Sequence, residues 1–131
     1  MSFTFPKTER LCSKILIDKL FNEGNKAYSY PLKVLWQIIT LPENVSLQCL
    51  VSVSKKRFKR ANKRNLLKRR IREAYRLNKN QLEQIIKTKN LQLAIIILYN
   101  TNELHEFDLI QEQLIEIFAD IIKRIEGLQH S

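Results

Sequence analysis

The sequence is poor in residues that loosen or break a chain, with two glycines and three prolines in 131 positions. Long flexible linkers are therefore not expected, and a single domain over 1–131 is the simplest reading of the length. No run of about 18 apolar residues occurs, so no helix is expected to cross a membrane. The opening segment, Met1 to Pro6, lacks the charged-then-apolar layout of a secretory signal. A cytoplasmic protein without a membrane partner is expected. Cysteine is scarce as well: Cys12 and Cys49 stand outside any Cys-x-x-Cys or Cys/His cluster, and free thiols in a reducing compartment are expected. His105 and His130 have no ligand-type neighbours nearby in sequence. Neither a metal site nor a nucleophilic triad is expected, and no residue is assigned as catalytic.

One further scarcity is local. Between Lys55 and Arg76 there is one acid, Glu73, against twelve lysines and arginines. The window carries +11, more than the +10 of the whole chain. Charge kept for solubility is spread over a surface, whereas charge concentrated in this way marks a site for a polyanion.

The apolar pattern places this window within an α+β arrangement. Ser13 to Gly24 reads as a helix, with Ser13 as N-cap, Ile17, Leu20 and Phe21 at helical spacing, and Gly24 as the stop. Leu32 to Ile39 has strand composition, and Leu41 to Asn44 reads as a turn. Ser46 to Ser54 then alternates, with Leu47, Cys49, Val51 and Val53 on one side. These two strands are expected to form an antiparallel hairpin. Leu91 to Tyr99 is nearly continuous in apolar residues and reads as a strand buried on both faces. Phe107, Ile110, Leu114, Ile117, Phe118, Ile121 and Ile125 mark a closing amphipathic helix. The expected order is α-β-β-α-β-α, with Asn80 to Lys87 open between a short strand and an added helical turn.

Wound at about 100° per residue, Asn62 to Asn78 has two faces. Leu67, Ile71, Ala74 and Asn78 form a core-facing stripe, flanked by Leu66 and Leu77 on one side and Tyr75 on the other. Asn65, Lys68, Arg69, Arg72 and Arg76 gather on the opposite side, with Arg64 at the boundary and Arg70 beside the stripe. Arginine outnumbers lysine on the helix, which favours bidentate phosphate contact in fixed positions. Asn65 adds an amide able to donate and accept, suited to a base edge or a 2′-hydroxyl. The flanking strands disfavour a helix standing proud in a DNA groove, so RNA is favoured over DNA.

At these residues the sequence resembles the protein subunit of bacterial ribonuclease P. The resemblance is carried by Ser52-Val53-Ser54-Lys55-Lys56, then Arg64-Asn65-Leu66, Lys68-Arg69 and Ile71-Arg72. Lys19 to Gly24 is similar to the family's first helix. Leu66 stands where the family has a second arginine, the connection Arg57 to Lys63 lacks the usual glycine, and Arg70 replaces an apolar residue. The resemblance implies an α-β sandwich with a left-handed βαβ crossover, like ribosomal protein S5 domain 2. It also implies a subunit of a ribonucleoprotein endoribonuclease in which RNA, with its own Mg2+, removes the 5′ leader from precursor tRNA. The implied partners are that RNA and precursor tRNA, with no obligate protein partner and no cofactor on the protein. Lys56, Arg64, Asn65, Lys68, Arg69, Arg72 and Arg76 are the implied RNA contacts. Ile17, Phe21, Val34 and Trp36 are the implied walls of a cleft for the leader. A stand-alone RNA-binding or ribosomal module is the alternative that the same electrostatics allows.

Overall fold

Ser13 caps the first helix, α1 (Lys14–Glu23), where its hydroxyl accepts from the Leu16 N–H at 3.3 Å. Gly24 ends it with its N–H on the Leu20 carbonyl at 2.9 Å, and a Cβ there would lie 2.4 Å from that oxygen. Only glycine fits so close an approach. The computed structural model describes residues 9–42 and 44–128, so His130 lies outside the described residues. The remaining elements are β1 (Asn25–Ser29), β2 (Leu32–Ile38), β3 (Leu47–Ser52), α2 (Ala61–Thr88), β4 (Leu93–Tyr99) and α3 (Phe107–Gly127).

The four strands form one mixed sheet in the order β1-β2-β4-β3. The hairpin expected between Leu32–Ile39 and Ser46–Ser54 does not form. β2 pairs antiparallel with β4, and β3 pairs parallel with the other edge of β4. The physical reason is burial. Ala94, Ile95, Ile96 and Ile97 are all fully buried, so β4 needs a neighbour on each side and a layer on each face. β3 alternates buried with half-buried residues and serves as an edge. The connection between β2 and β3 passes the start of β4, where Gln92 satisfies its backbone. The Gln92 Nε2 donates to the carbonyls of Leu41, Pro42 and Val45 at 3.0, 3.1 and 2.7 Å. Its Oε1 accepts from the Leu41 N–H at 2.9 Å. β1 is an added strand that the sequence pattern did not suggest, since only Ala27 in it is buried.

One face of the sheet is covered by α2 and α3, the other partly by α1. Leu67, Ile71, Ala74, Tyr75, Leu82 and Ile86 of α2 lie on the first face with Ile110, Leu114, Ile117, Phe118, Ile121 and Ile125 of α3. Tyr75 meets Phe118 edge-on, their ring centroids 6.2 Å apart. Asn78 leaves the expected stripe to tie the two helices, donating to Ala74 O at 2.7 Å and Gln111 Oε1 at 2.9 Å. Asn80 to Lys87 continues α2 without a break, because Leu82 and Ile86 extend the buried stripe. On the second face Leu11 and Leu20 bury Leu35, Ala94 and Ile96. With ten residues, α1 leaves part of that face open. No described helix is long and apolar enough to cross a membrane.

Candidate nucleic-acid interface

The basic window divides into cations used within the fold and cations that are not. Arg64 turns back on the connection before its own helix, donating to the carbonyls of Phe58 and Lys59 at 2.8 and 2.9 Å. Arg57 donates to Asn102 and Asn100 at 3.1 and 3.2 Å. Arg70, beside the apolar stripe, donates to the His105 carbonyl at 2.7 Å and lies 3.9 Å from Glu106. Arg76 pairs with Glu73 at 2.6 Å, and this hydrogen bond holds the Glu73 carboxyl below the usual carboxylate range. By contrast, the side chains of Asn65, Lys68, Arg69 and Arg72 have no hydrogen-bond or ion-pair partner among the described residues. Cations left uncompensated on one helix repel each other.

Asn65, Arg69, Arg72 and Arg76 recur at helical spacing and line a cleft of about 580 Å³. Its opposite wall is made of Arg10, Leu11 and Cys12 with Cys49, Leu50 and Val51 of β3. Of the sequence-assigned residues, Lys68 stands beside this row and Lys56 is exposed on the connection. Arg64 sits apart from it, held by its carbonyls. Arg10 escaped the sequence reading because nothing in its local pattern shows that the segment returns to β3. Cys49 is buried; burial pushes its thiol up, with Arg72 and Lys79 pulling partly back. Among the described residues no group of three His, Cys, Asp or Glu could hold a metal ion.

The four leader-cleft assignments separate. Ile17 is half-buried on the α1 face and Phe21 is 50% exposed there. Val34 and Trp36 do not join them: at 0% and 3% exposure they belong to the core under α2 and α3. Side chains alternate along a strand, so the α1 face takes Lys33 and Leu35 instead. The register puts Tyr28, Lys33, Leu98 and Ser52 in one row across all four strands. Tyr28 is exposed, with the Lys33 ammonium 5.4 Å from its ring centroid. An aromatic ring, a cation and an open sheet face are the parts of a single-strand platform. The alternation was legible in Leu32 to Ile39; which parity faced α1 was not.

A small α+β protein with a two-walled arginine cleft and a half-open sheet face belongs to the class that binds anionic chains through a fixed surface. Comparison with known proteins makes the class specific. The family model described as Ribonuclease P matches residues 5–122. A ribonuclease P protein component from Porphyromonas gingivalis is 36% identical over 92% of this chain and 90% of its own length. One from Chlorobium phaeobacteroides is 30% identical over 88% and 86%. Among solved structures, the RNase P protein of Thermotoga maritima superposes with a TM-score of 0.62 at 25% identity, covering 84% of this chain and 94% of that one. The Staphylococcus aureus RNase P protein has a TM-score of 0.66 at 21% identity, over 86% and 94%, and supports the fold. The chain belongs to the ribonuclease P protein family.

Proposed function

We propose that this chain is the protein subunit of a ribonucleoprotein that removes the 5′ leader from precursor tRNA. Asn65, Lys68, Arg69 and Arg72 hold phosphates and sugars of the catalytic RNA, with Lys56 on the adjoining connection. The open α1 face, with Phe21, Tyr28 and Lys33, takes the single-stranded leader. The RNA subunit holds the magnesium ions that activate water, and the protein positions the RNA and the leader without supplying a reacting group. The observation that carries this reading is the row Asn65, Arg69 and Arg72 along one wall of the arginine cleft, whose side chains have no hydrogen-bond or ion-pair partner among the described residues.

Reconstitution tests it. The chain, its cognate ribonuclease P RNA and a precursor tRNA are combined at low magnesium, where RNA alone is slow. The expected result is faster 5′ cleavage with protein present and none with protein alone. If the chain binds the RNA but leaves cleavage unchanged, a stand-alone RNA-binding module is the better reading.

A further inference from the structure

Part of the second wall of the arginine cleft, residues 10–12, lies outside the helix and outside the sheet's named strands. Arg10 makes a parallel bridge to Cys49, and the Leu11 N–H donates to the Cys49 carbonyl at 3.0 Å. Leu11 is buried to 1% exposure against the α1 face. One residue earlier, Glu9 meets Lys79 of α2 at 2.5 Å. Lys79 is only 8% exposed, though it sits on the buried stripe between Tyr75 and Leu82. Its ammonium also lies 5.8 Å from the Tyr75 ring centroid. A lysine buried that deeply is costly without a partner; Glu9 meets it directly, and Glu83 of α2 is close enough to feel its charge.

We infer that residues 9–12 form a strap, latched to α2 by the Glu9–Lys79 ion pair, which completes the RNA cleft and sets its grip. The inference rests on the reading of the cleft as an RNA site. With the strap seated, Arg10 and the backbone at Leu11 face the Asn65–Arg69–Arg72 row across the cleft. With it lifted, the arginines stand on an open helix face and the edge of β3 is uncovered. An RNA strand between two walls is contacted from both sides and loses more water than on one convex face. Glu9 and Lys79 are positioning residues here: they act through Arg10 and Leu11, not by touching RNA. Cys49, the strap's backbone partner, is buried and lines the cleft beside residues 10–12, so its thiol serves as a reporter of the strap's opening.

The test uses the full chain with Cys12→Ser, leaving Cys49 as the one thiol. Iodoacetamide labelling of Cys49 and affinity for the cognate ribonuclease P RNA are both measured. Glu9→Gln is expected to speed labelling and weaken RNA binding, each by about tenfold, as a local opening would. RNA should slow labelling of the parent. A Glu9→Leu/Lys79→Met pair keeps the contact without charge and should return both readouts toward the parent. Unchanged labelling in Glu9→Gln, or faster labelling at unchanged RNA affinity, overturns the strap's role, as does a Leu/Met pair as open as Glu9→Gln. Arg72→Ala separates the two readings. If it weakens binding and Glu9→Gln does not, the strap falls and the RNA site stands; if Arg72→Ala leaves binding intact, the RNA site itself is wrong.

Discussion

The guanidinium of Arg64 donates to the carbonyl oxygen of Phe58 at 2.8 Å, closing the connection between β3 and α2 into a loop fixed by its own helix. The family-signature arginine is therefore spent on backbone, and the next cations without a hydrogen-bond or ion-pair partner among the described residues are Lys68 and Arg69, one helical turn later. Two neighbouring basic residues in the sequence thus have different work, which composition cannot distinguish.

Arg64→Ala should cost stability first. Two hydrogen bonds from a charged donor are lost, and a destabilisation of about 1–3 kcal/mol is expected from denaturant unfolding. The salt dependence of RNA affinity should change less than in Arg72→Ala. A flattened slope with unchanged stability would show that Arg64 touches phosphate instead.

Lys68→Ala, Arg69→Ala and Arg72→Ala should do the reverse. Each removes a side chain with no hydrogen-bond or ion-pair partner among the described residues, so unfolding should barely change. The slope of log affinity against log salt should flatten by roughly one unit or less per lost contact. Sulfate or phosphate should also raise the parent's melting temperature at matched ionic strength, and that gain should shrink in Arg69→Ala/Arg72→Ala.

Trp36 and Phe21 give opposite expectations. Trp36→Ala should destabilise the fold by about 3–5 kcal/mol, as large aromatic truncations in a core do. Trp36→Phe should cost much less, because the buried indole N–H has no hydrogen-bond partner among the described residues. Phe21→Ala should leave unfolding nearly unchanged and weaken binding of precursor tRNA with a leader, by about 1–3 kcal/mol if a base stacks there. Mature tRNA is the control, and an equal loss for it would remove the stacking role.

Alkaline stability should carry the signature of Tyr99. Burial pushes its phenol from the ordinary 10.0 up to about 12, while its hydroxyl donates to the Glu103 carbonyl at 2.6 Å. The unfolded chain loses this proton at lower pH than the folded one, so stability is intact below about 10 and declines as pH rises towards about 12. Tyr99→Phe should flatten that decline relative to the parent, measured by denaturant unfolding across the range. Parallel curves would show that Tyr99 ionises equally in both states.

Elements that announce themselves by local pattern were legible in the sequence. Ser13 and Gly24 bound α1, the continuous apolar run became β4, and the apolar stripes of α2 and α3 face the sheet. Relationships across the chain were not legible. The hairpin expectation failed because adjacency in sequence says nothing of β4 arriving from 40 residues later to separate β2 from β3. The strand of Trp36 was recognised but its parity was not, since both faces of β2 carry apolar residues. Within the cleft, the helical wall could be wound from periodicity alone. The wall at Arg10 depends on a bridge to Cys49 that only the folded chain displays.

The 28 residues of α2 are one uninterrupted helix whose inner stripe builds the core and whose outer row lines the cleft. Folding places almost no demand on Asn65, Arg69 and Arg72, and nearly complete demand on Leu67, Ile71 and Ala74 of the inner stripe. The two sets can therefore diverge at different speeds along the same backbone. An RNA partner that changes shape can be followed by substitutions in the outer row alone, with the rod that carries them left unaltered.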